Sequence, residues 1–314
     1  MGIREEVRWK NVRFSDEDWF CLMDHGVRAR WKTSKGLLSG PRVWLLLRVL
    51  LASIINFIFF FGMVIAGFEQ QLDCDKAMKS PDGEISYPLK EKSTMFPYFF
   101  IFLTNWGIFF QVIYLNSSAL ATFLYFVPHY TSRSGRFGES PARQPFLVTL
   151  AWWFRTWSLP GCFCISLLYF ALLHPFIDIH ALSSAQHLYL YLAHVGNILV
   201  QLLDLPLSYE PFLFSGSYVA MQIYNQLYFP WSILHWLLEI GNGRCDTFIY
   251  PFLDWSNPGL LAAPLWGGFI VAGVPLFCYI SWWFTLLARP AEQREYILSG
   301  QSKQQEVLRP TAQT

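Results

Sequence analysis

The chain has 314 residues; 54% are hydrophobic and 18% aromatic, and only 14% are charged. Soluble domains average about 25% charged residues, so a soluble globule is excluded: there is too little polar surface to cover one. The net charge of +1, with no phosphate loop, zinc-finger spacing or dinucleotide fingerprint, gives no reason to expect nucleic acid or a nucleotide cofactor as a partner.

Residues 1–42 read as a cytosolic N-terminal arm that mixes charges with Trp9, Phe14, Trp19 and Phe20. Two readings of it stand open: a segment lying on the membrane surface, or a solvated arm with a short helix. No secretory signal peptide is visible, because the first apolar run is already of spanning length. Six apolar runs follow within residues 43–288, at about 43–68, 96–120, 147–173, 187–207, 212–238 and 264–288. Each exceeds the ~18 residues with few charges that mark a spanning helix. None alternates as a barrel strand would. The expected fold class is all-α, a polytopic membrane helix bundle with six transmembrane helices. Residues 289–314 are polar and expected to be a disordered cytosolic tail.

Lys and Arg set the orientation. The arm holds nine, the loop after the second run three and the tail four, so one side carries 16. The other side carries five: Lys76, Lys79, Lys90, Lys92 and Arg244. Both termini are therefore expected in the cytosol of an integral protein of the secretory pathway or plasma membrane. Of the six cysteines, Cys74 and Cys245 alone fall on the outer side. That side is oxidising, so the two form either a disulfide or a pair of free thiols. His180, His187 and His194 repeat every seven residues. Neighbours at that spacing lie ~10 Å apart along a helix, too far for one ion, so no metal is expected.

The fourth run carries a polar stripe: His194, Asn197, Gln201 and Asp204 share one helical face. Polar residues inside a membrane usually face the bundle interior and pair there. Candidate partners are Thr104, Asn105, Gln111 and Ser118 in the second run, Arg155 in the third, and Tyr218, Gln222 and Asn225 in the fifth. Arg155 and Asp204, both in the cytosolic half, read as a buried structural ion pair. Thr104 and His194 each lie seven residues beyond an outer start, at Pro97 and His187. That places both ~10 Å below the outer surface, if the helices begin there. A hydroxyl and an imidazole at one depth can act as nucleophile and base. The alternatives are a threonine bonded to its own helix and a histidine bonded to Asn197 or a neighbouring span.

Three stretches carry a family resemblance: "FLTNWG" at 102–107, "HVGNILVQLLDLPLS" at 194–208 and "IYPFLDWSNPG" at 249–259. They resemble the rolling stone family of multi-span membrane proteins, over roughly residues 97–290. That family is associated with cell fusion in insect muscle development, and most members have no assigned chemistry. More distantly, the chain resembles the androgen-induced-gene family, lipid hydrolases that use a membrane Thr and a membrane His to cleave fatty acid esters of hydroxy fatty acids. Thr104 and His194 match that pair in kind and in span order. The resemblance implies a lipid ester hydrolase with Thr104 as nucleophile and His194 as base, needing no cofactor. Asn105 or Asn197 would bond the developing oxyanion, Asn197 and Gln201 would floor the cavity, and Asp254 would orient the imidazole. The alternative is a non-enzymatic protein of adhesion, fusion or assembly, with Pro251 and Pro258 stiffening an outer binding loop. A transporter is the third reading. Membrane lipids are the expected surroundings in every case.

Cysteine-accessibility mapping checks the orientation. Probes at residues 69–95, 174–186 and 239–263 should label from the lumenal or exterior side, and probes in the N-terminal arm from the cytosol. An outward-facing N-terminus would overturn the depth argument with it.

Overall fold

The computed structural model describes residues 41–68, 95–126, 146–176, 182–207, 214–242 and 245–288, apart from 258 and 260, with isolated positions between 76 and 88. The N-terminal arm, the tail, Cys74, His180 and Pro258 lie outside the described residues. Six helical rods occur among those described. They are α1 (Pro41–Phe68), α2 (Leu103–Ala121, continued by a π turn, Thr122–Phe126) and α3 (Phe146–Leu168, continued by a π turn, Tyr169–Leu173). There follow α4 (Ser184–Tyr191, a π turn Leu192–Gly196, then Asn197–Asp204) and α5 (Phe214–Leu237). The last is α6 (Ala262–Gly268, a π turn Phe269–Gly273, then Val274–Ala288). The strand content among the described residues is one antiparallel ladder, pairing Met78 with Ser86 and Lys79 with Ile85.

Four rods contain stretches long and apolar enough to cross a membrane: Leu45–Phe68, Leu103–Leu124, Thr149–Leu173 and Ala262–Ala288. These point to an integral membrane protein. α4 and α5 are long enough but fall short in hydropathy, because His, Asn, Gln, Ser and Tyr interrupt their apolar residues. α1 turns Leu46, Leu50, Phe57, Phe60 and Val64 outward, an apolar stripe that would be costly in water and is at home in lipid.

Local chemistry sets where the rods start. α4 begins at a capping box: the Gln186 N–H donates to Ser183 Oγ at 3.3 Å, and the Ser183 N–H donates to Gln186 Oε1 at 2.8 Å. The second apolar run is not one helix. Phe96–Ile101 is a 3-10 segment with Pro97 in its first turn, and Phe102 is extended (φ −81°, ψ 131°) before α2 begins. Thr104 is therefore the second residue of α2, not a residue two turns inside a helix begun at Pro97. α5 ends in a Schellman turn, the Ile240 N–H donating to His235 O at 3.2 Å, with Glu239 in the left-handed region at φ 52°.

α2 and α3 form the centre, with α1 and α4 packed on one side and α5 and α6 on the other. One apolar core lies between α1, α2 and α4, around Ile55, Ile58, Ile108 and Val200. A second lies between α2, α3, α5, α6 and the loop joining α5 to α6, around Trp157, Met221, Tyr228, Leu253 and Phe277. Glycine permits two close approaches. A Cβ at Gly107 of α2 would fall on Ile165 and Trp157 of α3, and one at Gly62 of α1 would fall on the Tyr189 ring of α4. Leucine at 107 would force both α3 side chains off their rotamers. Gly107→Leu should lower stability by ~1–3 kcal/mol, the usual range for overpacking. Thermal unfolding in detergent checks this, and an unchanged Tm would contradict the close α2–α3 contact.

Candidate functional site

The polar stripe of α4 faces inward. His194, Asn197, Gln201 and Asp204 are 4%, 0%, 2% and 0% exposed, while Leu199 and Leu203 on the opposite face are 52% and 59% exposed. The stripe meets α2 in a run of cross-bonds. Tyr189 donates its hydroxyl to Asn105 Oδ1 at 2.5 Å, and Gln111 Nε2 donates to Asn197 Oδ1 at 2.8 Å. Tyr114 donates its hydroxyl to Asp204 Oδ2. The numbers rise together on both helices, so α2 and α4 run parallel.

The charged end of this seam joins three helices. Arg155 of α3 reaches Asp204 Oδ2 at 2.9 Å and also donates to the Tyr114 hydroxyl. Its guanidinium carbon lies 5.6 Å from the Tyr114 ring centroid. A buried ion pair of this kind holds only if further hydrogen bonds satisfy it, and Tyr114 supplies them. Arg48 of α1 is bound one turn further along α2, donating to Ser118 Oγ at 2.7 Å and Thr122 Oγ1 at 2.9 Å.

Thr104 and His194 have different surroundings. The Thr104 hydroxyl bonds no carbonyl of its own helix, whereas Ser117, Thr122, Ser158, Ser281 and Thr285 each do. It lies instead beside Tyr250, from the loop joining α5 to α6. The Tyr250 hydroxyl accepts from the Leu103 N–H at 3.0 Å. Burial pushes this phenol up to about 12, and the Thr104 hydroxyl is the first of the contacts that pull it back. His194 sits in the π turn of α4, stacked on Tyr169 of α3 at 3.7 Å between ring centroids and 7° between planes. The wider turn leaves its carbonyl to a neighbour, and Ser166 donates a hydroxyl to it. The ring Nδ1 is buried with no hydrogen-bond partner.

The bonds between α2 and α4 correct the matched-depth expectation. With Asn105 opposite Tyr189 and Gln111 opposite Asn197, Thr104 lies four to six residues, roughly 6–9 Å along the axis, nearer the N-terminal ends of the two helices than His194. The other candidates fall as follows. Asn105 Nδ2 donates to Phe99 O at 2.6 Å, and Asn197 Nδ2 donates to Ala193 O at 3.0 Å, so each has a donor committed to main chain. Gln201 Nε2 is buried without a partner beside them. Asp254 accepts from the N–H and hydroxyl of Ser256 at 2.9 Å and 2.7 Å. That is a local turn, and it commits the carboxylate oxygen to its own loop rather than to an imidazole. Cys245 is disulfide-bonded; Cys74, the expected partner, lies outside the described residues. Among the described residues no group of three His, Cys, Asp or Glu could hold a metal ion.

Sequence reasoning missed the tyrosines. Tyr114, Tyr169, Tyr189 and Tyr250 each bring a polar tip or a ring to the polar seam or to Thr104. Their signal was position, since Tyr114 shares a face of α2 with Gln111 and Ser118, but an aromatic in an apolar run reads first as core. Comparison with family models, with curated proteins and with solved structures gives no match.

Removing one charge of the Arg155–Asp204 pair leaves the other buried alone. Asp204→Ala should destabilise by ~3–5 kcal/mol, whereas Arg155→Met combined with Asp204→Leu should recover most of that loss. Detergent-solubilised thermal melts of the singles and the double test this. Equal losses in the double and in Asp204→Ala would show that the pair is not an energetic unit.

Proposed function

We propose that the chain is a six-span membrane protein, both termini cytosolic, that hydrolyses lipid esters with Thr104 as nucleophile and His194 as base. The observation that carries the reading is a threonine whose hydroxyl turns to Tyr250 instead of its own helix, together with a histidine that is one of several buried polar side chains keeping an atom without a partner. Thr104 has no bond to its own helix, and His194 keeps a ring nitrogen without a partner. The family resemblance of the surrounding stretches supports the same two residues. For the six spans, α4 supplies 21 helical residues and α5 supplies 24, ~31 and ~36 Å at 1.5 Å per residue, enough for a ~30 Å hydrocarbon core. The Lys and Arg asymmetry supports the orientation.

In this mechanism Thr104 Oγ1 bonds the ester carbonyl carbon and its proton passes to His194. The two side chains have different neighbours, so this proton transfer requires water or bound substrate to connect them. The tetrahedral intermediate collapses, the ester C–O bond breaks, and the leaving alkoxide takes the proton from the imidazolium. Water, deprotonated by His194, then releases the acid and restores Thr104. The substrate is apolar enough to arrive sideways from the bilayer, because the nucleophile lies within a spanning helix.

A non-enzymatic reading is favoured by one observation. The outer loop is stapled down: Tyr250, Phe252, Leu253 and Trp255 are buried, and Trp255 Nε1 donates to Ser232 Oγ of α5 at 3.0 Å. A loop held so firmly suits a rigid surface for adhesion or assembly. Turnover separates the two. With long-chain ester substrates, Thr104→Ala and His194→Ala should each reduce kcat by at least ~10³-fold, as loss of a nucleophile or base does, with Tm near wild type. Thr104→Ser should keep measurable activity. Full activity in either alanine variant would reject the mechanism.

A further inference from the structure

The expected oxyanion donors, Asn105 and Asn197, each have one N–H anchored to a main-chain carbonyl, of Phe99 and Ala193. A free donor sits elsewhere. Asn225 of α5 is 4% exposed, and its Nδ2 is buried with no partner. Its neighbour on the same face, Gln222, is committed: its Nε2 donates to Ile270 O, in the π turn of α6, at 3.0 Å. Buried amide donors are almost always paired, so an unpaired one calls for an explanation.

Asn225 lines a pocket whose other walls include Leu103, Leu168, Tyr250, Phe252 and Leu253. Thr104 does not itself line the pocket, but two of its walls are neighbours of Thr104. Leu103 precedes Thr104, and Tyr250 adjoins the Thr104 hydroxyl. The roughly 350 Å³ of empty space between the pocket's walls includes open solvent. Its enclosed part, about 20 Å³, holds about one water-sized group. A carbonyl fits there, with an acyl chain running out along leucine and phenylalanine. An apolar wall bearing one unpaired N–H donor recognises an apolar molecule with one acceptor.

We infer that this pocket binds the acyl part of the ester substrate and that Asn225 Nδ2 donates to its carbonyl oxygen, so that Asn225 is a catalytic residue beside Thr104. The inference rests on the hydrolase reading for the chemistry, and on the pocket alone for binding. As the reaction proceeds, the C=O π electrons move onto that oxygen. The donor then faces an alkoxide instead of a neutral carbonyl, which is where a preorganised N–H counts most.

The test uses the full chain in detergent micelles and a diazirine-bearing fatty acid methyl ester as probe. Photolabelling is done in the Thr104→Ala background, so that no turnover occurs, and labelled peptides are mapped by mass spectrometry. Label should fall on residues 250–253 and 265–269 and drop at least tenfold in Asn225→Leu. Leu253→Trp, which fills the pocket, should drop it likewise. Asn225→Leu should also raise Tm, because it replaces an unpaired buried amide with an apolar group; an amide that serves only packing would lower it. With Thr104 intact, Asn225→Leu should lose about 10²-fold in kcat, as other oxyanion donors do. Unchanged labelling and turnover in Asn225→Leu, beside Thr104-dependent hydrolysis by wild type, would overturn the inference and spare the hydrolase reading. Asn225-dependent labelling in a protein that hydrolyses nothing would keep the pocket and overturn the hydrolase reading.

Discussion

A polar group buried in a bilayer finds its partner inside the protein, and that constraint organises this bundle. The seam between α2 and α4 is its main expression. Tyr189 meets Asn105, Gln111 meets Asn197, and Tyr114 with Arg155 meets Asp204. Because an amide or carboxylate has one good partner at one height, these bonds fix the register of two helices that apolar packing alone would let slide. They also leave α4 too polar to be a self-sufficient span. Its stripe is held by α2 and α3, and its leucines face outward.

The same constraint separates structure from function in the polar residues. Most of the buried hydroxyls and amides described above are committed. Ser117, Ser158, Ser281, Thr122 and Thr285 bond their own helices, and Arg48 is held by Ser118 and Thr122. Among the side-chain atoms left without a partner are His194 Nδ1 in its π turn, Gln201 Nε2 in the seam and Asn225 Nδ2 in the pocket, beside Ser217 Oγ, both ring nitrogens of His235 and several indole N–H groups. π turns are over-represented at functional sites because they widen the helix and free a carbonyl. One of the four π turns holds His194 and another contributes Phe269 to the pocket.

The helical rods and the inward face of α4 were legible in the sequence, since apolar run length and a three-to-four periodicity are direct consequences of helix geometry. The proximity of Arg155 and Asp204 was legible for a related reason: two opposite charges in one half of the bundle have few other options. Depth was not legible to the same degree. Nothing in "MFPYFFIFLTN" announced that Phe102 would be extended and that α2 would begin at Leu103. The offset between Thr104 and His194 came only from the bonds that set the register of α2 and α4. The tyrosines were hidden because their rings count as core and their hydroxyls as polar. "IYPFLDW" read as a binding surface or a loop staple, and five of its side chains, Ile249, Tyr250, Phe252, Leu253 and Trp255, are buried.

The central claim is that Thr104 carries the acyl group during turnover. Rapid acid quench of wild type with a long-chain ester, followed by peptide mass spectrometry, reads this directly. The account predicts an acyl adduct on Thr104, absent when His194 is replaced by alanine. Turnover with no adduct on Thr104, or an adduct on another residue, would contradict it.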